Sequence, residues 1–113
     1  MKNLYLCGPM RGIANFNFPM FHKYTKILRE EGYSVTSPAE MDEEDWGEEA
    51  FQDPLGLTVD HPDFDLRTTL GADLEFICTS ADVVAVLPNW ENSKGVKAEI
   101  AAAEALGIEV IYV

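Results

Sequence analysis

The chain has 113 residues, with 20 Asp or Glu against 8 Lys or Arg and a formal net charge of −12, while 47% of its residues are hydrophobic. That length allows one domain with one core, and that charge argues against general nucleic-acid binding, which needs a basic surface. No apolar run is long enough to span a bilayer and the amino terminus leads straight into a strand, so neither a membrane anchor nor a signal peptide is expected; the expected compartment is the cytoplasm.

Lys2 to Cys7 reads as the first strand, ending at Gly8. The turn that follows is Gly8-Pro9-Met10-Arg11-Gly12. Its glycines permit a close approach of ligand to main chain. Arg11 suits a phosphate or carboxylate there, with a surface ion pair as the alternative. Asn15 to Pro19 leads into a helix running to about Glu31, with Phe21, Tyr24, Ile27 and Leu28 on its apolar face and Gly32 as its stop. Phe16 and Phe18 precede that helix and either stack on a ring or pack in the core. Tyr33 to Thr36 is the second strand, closed by Ser37-Pro38.

Glu40 to Asp53 is densely acidic and contains no basic residue, which predicts a solvated short helix or loop anchored by Met41, Trp46 and Phe51. It lacks the ordered ligand spacing of a calcium loop. Pro54 to Asp65 has turn formers and no period, and is predicted to be a loop or a flap over a site. Leu66 to Ser80 is the next helix, with Asp65 as N-cap and Leu66, Leu70, Leu74 and Ile77 as its apolar stripe. Asp73 falls in the middle of that stripe. Asp82 opens the third strand and is assigned a structural role. Cys7 and Cys78 have no metal spacing and read as reduced core residues.

The last third reads as strand (Asp82 to Leu87), polar loop (to Gly95), helix (Val96 to Leu106, stopped by Gly107) and strand (Ile108 to Val113). The loop sits at the carboxyl end of a strand and the amino end of a helix, where open α/β sheets bind ligands. Glu99 lies within the apolar face made by Val96, Ile100, Ala103 and Leu106. A carboxylate there either reaches water from the rim of the core or is aimed into a cleft. The element order predicts a flavodoxin-like α/β fold: a single domain with a mainly parallel sheet of four or five strands and helices on both faces.

Tyr5-Leu6-Cys7-Gly8-Pro9-Met10-Arg11-Gly12, the helix with Asp73, Ala81-Asp82-Val83-Val84, and Ser93-x-Gly95-x-x-x-Glu99 before a small-residue helix together resemble the nucleoside 2-deoxyribosyltransferase superfamily. The resemblance covers nearly the whole chain except the acidic segment. It is nearest to the small phage and bacterial branch that opens with a Gly-Pro-Met-Arg-Gly turn.

The resemblance implies Glu99 as the nucleophile on the anomeric carbon and Asp73 as the group that protonates or orients the base. It further implies substrate binding by Gly8, Met10, Arg11, Gly12, Phe16, Ser93 and Gly95. Ser93 stands where nucleoside transferases of the superfamily carry an aspartate and their nucleotide-hydrolysing relatives a serine. A serine at a helix start can donate to phosphate, whereas an aspartate repels it.

The expected activity is therefore hydrolysis of the N-glycosidic bond of a deoxynucleoside 5′-monophosphate, with no metal or redox cofactor. The alternatives are base exchange, a non-catalytic nucleotide sensor, or an accessory protein docking through Trp46 or Trp90. A homodimer or homotetramer is expected, with a small nucleotide or nucleoside as ligand.

Overall fold

The computed structural model describes Met1–Val113. The strands are β1 (Asn3–Cys7), β2 (Ser34–Thr36), β3 (Val83–Val86) and β4 (Glu109–Tyr112); the helices are α1 (Phe18–Glu30), α2 (Pro38–Trp46), α3 (Leu66–Ser80) and α4 (Lys94–Ala105). The four strands form one sheet in the order β2-β1-β3-β4, and every pair is parallel. This is the flavodoxin-like α/β arrangement expected, closed at four strands. No helix is long and apolar enough to cross a membrane.

Alternation along β1 separates two cores. Leu4 and Leu6, with Val83, Ala85 and Leu87, face α1, α2 and the aromatic cluster of Phe16, Phe18, Phe21 and Phe51. Tyr5 and Cys7, with Val84 and Val86, face Ile77 of α3 and Val96, Ile100 and Ala103 of α4. The central strands are thus covered on both sides, which explains why they read as unbroken apolar runs. Where β1 ends, a Cβ on Gly8 would lie 2.7 Å from Leu87 Cδ1, so only glycine lets the two central strands leave the sheet this close together.

Several expectations are corrected. Cys7 is buried but Cys78 is exposed, because its side of α3 turns away from the sheet. The acidic stretch forms the short helix expected, α2, and a 3-10 turn at Glu48–Phe51, but it is not simply solvated, since Asp42 is buried. Leu66 and Leu106 lie at helix ends that overhang the core and are exposed, as is Ile27. α4 starts earlier than expected, with Gly95 inside its first turn. Trp46 and Trp90 are partly buried rather than free anchors, Trp46 against His61 and Phe64, Trp90 against Tyr112.

Candidate active site

Glu99 sits in the second turn of α4 and is only 6% exposed. Its place on the apolar face, between Val96 and Ala103, turns it toward the sheet. Asp73 occupies the equivalent inward position on α3 and is also buried. Between them β1 presents Tyr5, whose ring is wholly buried and whose hydroxyl has no hydrogen-bond partner of good geometry. Both carboxyls are near enough to that phenol to act on its ionisation and it on theirs. The phenol is the one neutral hydroxyl donor beside both acids.

Burial dominates the chemistry of these groups. It raises the Glu99 pKa to about 8, the nearby Tyr5 hydroxyl opposing that rise and the Asp73 charge adding to it. Burial raises Asp73 to about 6, again opposed by Tyr5. Tyr5 itself is held well above the ordinary phenol range by burial and by the two carboxyls, so it stays a neutral donor. Burial thus favours the protonated form of both acids, and Tyr5 opposes that shift at each of them. Converging buried carboxyls with perturbed ionisation are a usual signature of a functional site.

A third carboxyl is buried on another helix. Asp42 of α2 is 4% exposed and its pKa rises to about 7, by burial first and then by the charges of Asp73 and Asp45. Sequence reasoning missed both Tyr5 and Asp42. A tyrosine in an apolar strand carries no signal of its own, and one buried acid is invisible inside an acidic run.

The remaining expected residues surround the amino end of α4 and the turn after β1. Ser93 is the N-cap of α4, its oxygen accepting from the Val96 amide at 3.3 Å, which leaves its hydroxyl proton free to donate. Gly95 is part-buried in the first turn beyond it. Arg11 is exposed and donates to the Leu57 carbonyl at 3.2 Å. The Gly12 amide donates to the Gly56 carbonyl, and the Asn15 amide to that of Asp53. These bonds tie the 53–58 loop onto the turn. Asp53 shapes the loop by accepting from the amides of Leu55, Leu57 and Thr58.

Met10 is part-buried against the aromatic core, and Phe16 is inside it, edge-on to Phe51. Asn15, Phe16 and Asn17 all have left-handed backbone, with φ of 52°, 55° and 65°. Such a run is strained for side-chain-bearing residues. It is held by the Phe16 amide on Ile13, by the Asn17 side-chain amide on the Pro9 carbonyl and by the loop bond at Asn15. The strain thus lies in the segment that leads from the glycine turn into α1.

Two surface clefts open elsewhere. One, of about 150 Å³, runs between α1 and the 3-10 turn past Phe18, His22 and Glu43. The other, of about 420 Å³, lies beside Trp46 and Asp60. Neither is lined by Tyr5, Asp73 or Glu99. Cleft volume and chemistry part company here, and the converging buried polar groups are the stronger pointer because burying them costs stability.

A family model described as "Domain of unknown function (DUF4406)" matches residues 2–112. No curated protein and no solved structure matches the chain.

Proposed function

The chain belongs to the DUF4406 family, and we propose that it is an N-glycosidase that cleaves (deoxy)nucleoside 5′-monophosphates through a covalent intermediate on Glu99. The observation that carries this reading is the convergence of Glu99, Asp73 and Tyr5, from α4, α3 and β1, around one buried point. The motif resemblance to nucleoside 2-deoxyribosyltransferases supports it independently.

The proposed reaction follows retaining glycosidase chemistry. The Glu99 carboxylate bonds to C1′ of the sugar. The C1′–N bond breaks, its electron pair leaves with the base, and Asp73 supplies the proton. Water then attacks C1′ of the glycosyl ester, giving a proton to Asp73 and restoring the Glu99 carboxylate. Base and sugar 5-phosphate are the products.

The reaction needs one proton on the pair, carried by Asp73 as Glu99 attacks. Tyr5, able to donate to either acid, is the group through which that proton passes to Asp73. Positive charge developing on the sugar favours the Glu99 anion in the transition state. Ser93 and the first amides of α4, with Arg11 of the turn after β1, are the phosphate ligands in this reading.

The burial of Glu99 favours a second outcome for the same intermediate. An ester screened from water survives to meet another nucleobase, which makes base exchange the rival activity. In either case a second copy of the chain is proposed to complete the pocket beside α3 and α4, as a homodimer or a dimer of dimers.

The test is incubation with the four common deoxynucleoside 5′-monophosphates and chromatography for free base, with and without a competing second base. Release of base is expected, and a new nucleotide on adding the second base marks exchange. If no base is released from any nucleotide, the enzyme reading fails.

A further inference from the structure

The cleft between α1 and the 3-10 turn at Glu48–Phe51 is lined by none of Tyr5, Asp73 and Glu99, and the proposed reaction leaves it unused. Its volume is about 150 Å³. An apolar cavity of about that size takes up benzene, so the cleft suits a body of about six carbon-sized atoms. Its floor is Phe18 and Phe51, both buried and stacked with ring centroids 4.8 Å apart.

The rim of the cleft is polar and brings acceptors from several elements. Glu43 comes from α2 and Glu48 from the 3-10 turn. His22 Nε2 of α1 lies 3.2 Å from Glu43 Oε1 and holds that carboxyl where the two helices meet. Asn15, from the left-handed run before α1, and Gln52 add a carboxamide each. No Lys or Arg lines the cleft, so it does not suit an anion. No three His, Cys, Asp or Glu side chains are arranged to hold a metal ion. These walls match an organic cation, with an apolar stem for the phenylalanine floor and a head that only donates for the carboxyls.

We propose that this cleft binds a primary alkylammonium group on a stem of about four or five carbons. The site stands whether or not Glu99 is a nucleophile. A primary ammonium carries only N–H donors. Glu43, Glu48 and the two carboxamide oxygens are the acceptors for them, and the charge on the ammonium strengthens each bond to a carboxylate. The stem displaces water from the phenylalanine floor, which favours binding in proportion to the apolar area covered. A free diamine and the lysine side chain of another protein share this chemistry.

The test is titration of isotope-labelled protein with 1,4-diaminobutane and with Nα-acetyl-lysine amide at constant ionic strength, followed by NMR. The side-chain amides of Asn15 and Gln52 and the backbone amides of Glu48 to Phe51 should shift together and saturate below about 10 mM. The neutral isostere 1,4-butanediol should leave them in place. Glu43→Gln and Glu48→Gln should each raise Kd by about three- to tenfold. Glu31→Gln removes the same charge from an exposed position at the end of α1 and should change Kd by less than about twofold. Tighter binding of the diamine marks a free amine as the ligand, and tighter binding of the lysine derivative marks a protein side chain. Shifts that fail to saturate, that spread over the acidic surface, or that neither Glu43→Gln nor Glu48→Gln weakens overturn the proposal. Butanediol binding as tightly as the diamine also overturns it.

Discussion

Glu99 and Asp73 stand out because each breaks an apolar helical stripe, and the structure buries both of them beside one tyrosine. Holding a carboxyl there costs folding stability, since burial opposes its ionisation. Glu99→Gln should leave the fold intact and abolish base release. Glu104, exposed and further along α4, is the control, and Glu104→Gln should keep wild-type activity. Glu99→Gln should also be more stable than wild type at pH 8, by about 2–4 kcal/mol in urea melts, and no more stable at pH 4.5. A Glu99→Gln protein that is less stable at pH 8 would mean that the carboxylate is satisfied by partners and not strained. These two acids were legible in the sequence because 100° spacing places an intruder on a face. Tyr5 was not, because nothing in a strand of Leu, Tyr, Leu and Cys distinguishes a tyrosine that faces an acid from one that merely packs.

At the scale of elements, the turn after β1 is where the sheet meets the 53–58 loop. Gly8 permits the contact with Leu87, and Gly56, at φ 64°, lies so close to the Ile13 carbonyl that any Cβ would collide with it. Gly8→Ala should destabilise the protein by about 1–3 kcal/mol, because the crowding falls on a buried side chain between the central strands. A thermal melt unchanged from wild type would show that the strand ends can spread. The glycines marked this turn in the sequence, and the limits of α3 and its Asp65 cap were read correctly, Asp65 accepting from the amides of Arg67 and Thr68. α2 was less legible. Its acids outnumber its apolar residues, so no periodicity showed which side packs, and the burial of Asp42 emerged only from the way the chain folds back over the sheet.

On the scale of the whole molecule, Asp42, Asp73 and Glu99 are all raised in the folded state, to about 7, 6 and 8. The native state keeps protons that the unfolded chain releases near its ordinary carboxyl pKa values of about 4. In that window the unfolded state binds fewer protons, so stability falls as pH rises. The protein should be most stable near pH 4.5 to 5, should lose stability progressively up to about pH 8, and should change little just above that. Self-repulsion at a net charge of −12 works in the same direction. Urea melts at pH 5, 6.5 and 8 check this; stability that rises over that range would contradict the burial of these acids. The mainly parallel sheet was legible from alternating strands and helices and from right-handed crossovers, and its order β2-β1-β3-β4 comes from the structure, as does the meeting of α3, α4 and β1 at one buried point. The central claim is a covalent bond from Glu99 to the sugar, and mass spectrometry of protein mixed with nucleotide and quenched in acid tests it most directly. The account predicts a pentosyl-phosphate adduct on the peptide containing Glu99, absent in Glu99→Gln; base release by the wild type with no adduct there, or with the adduct on another residue, would contradict it.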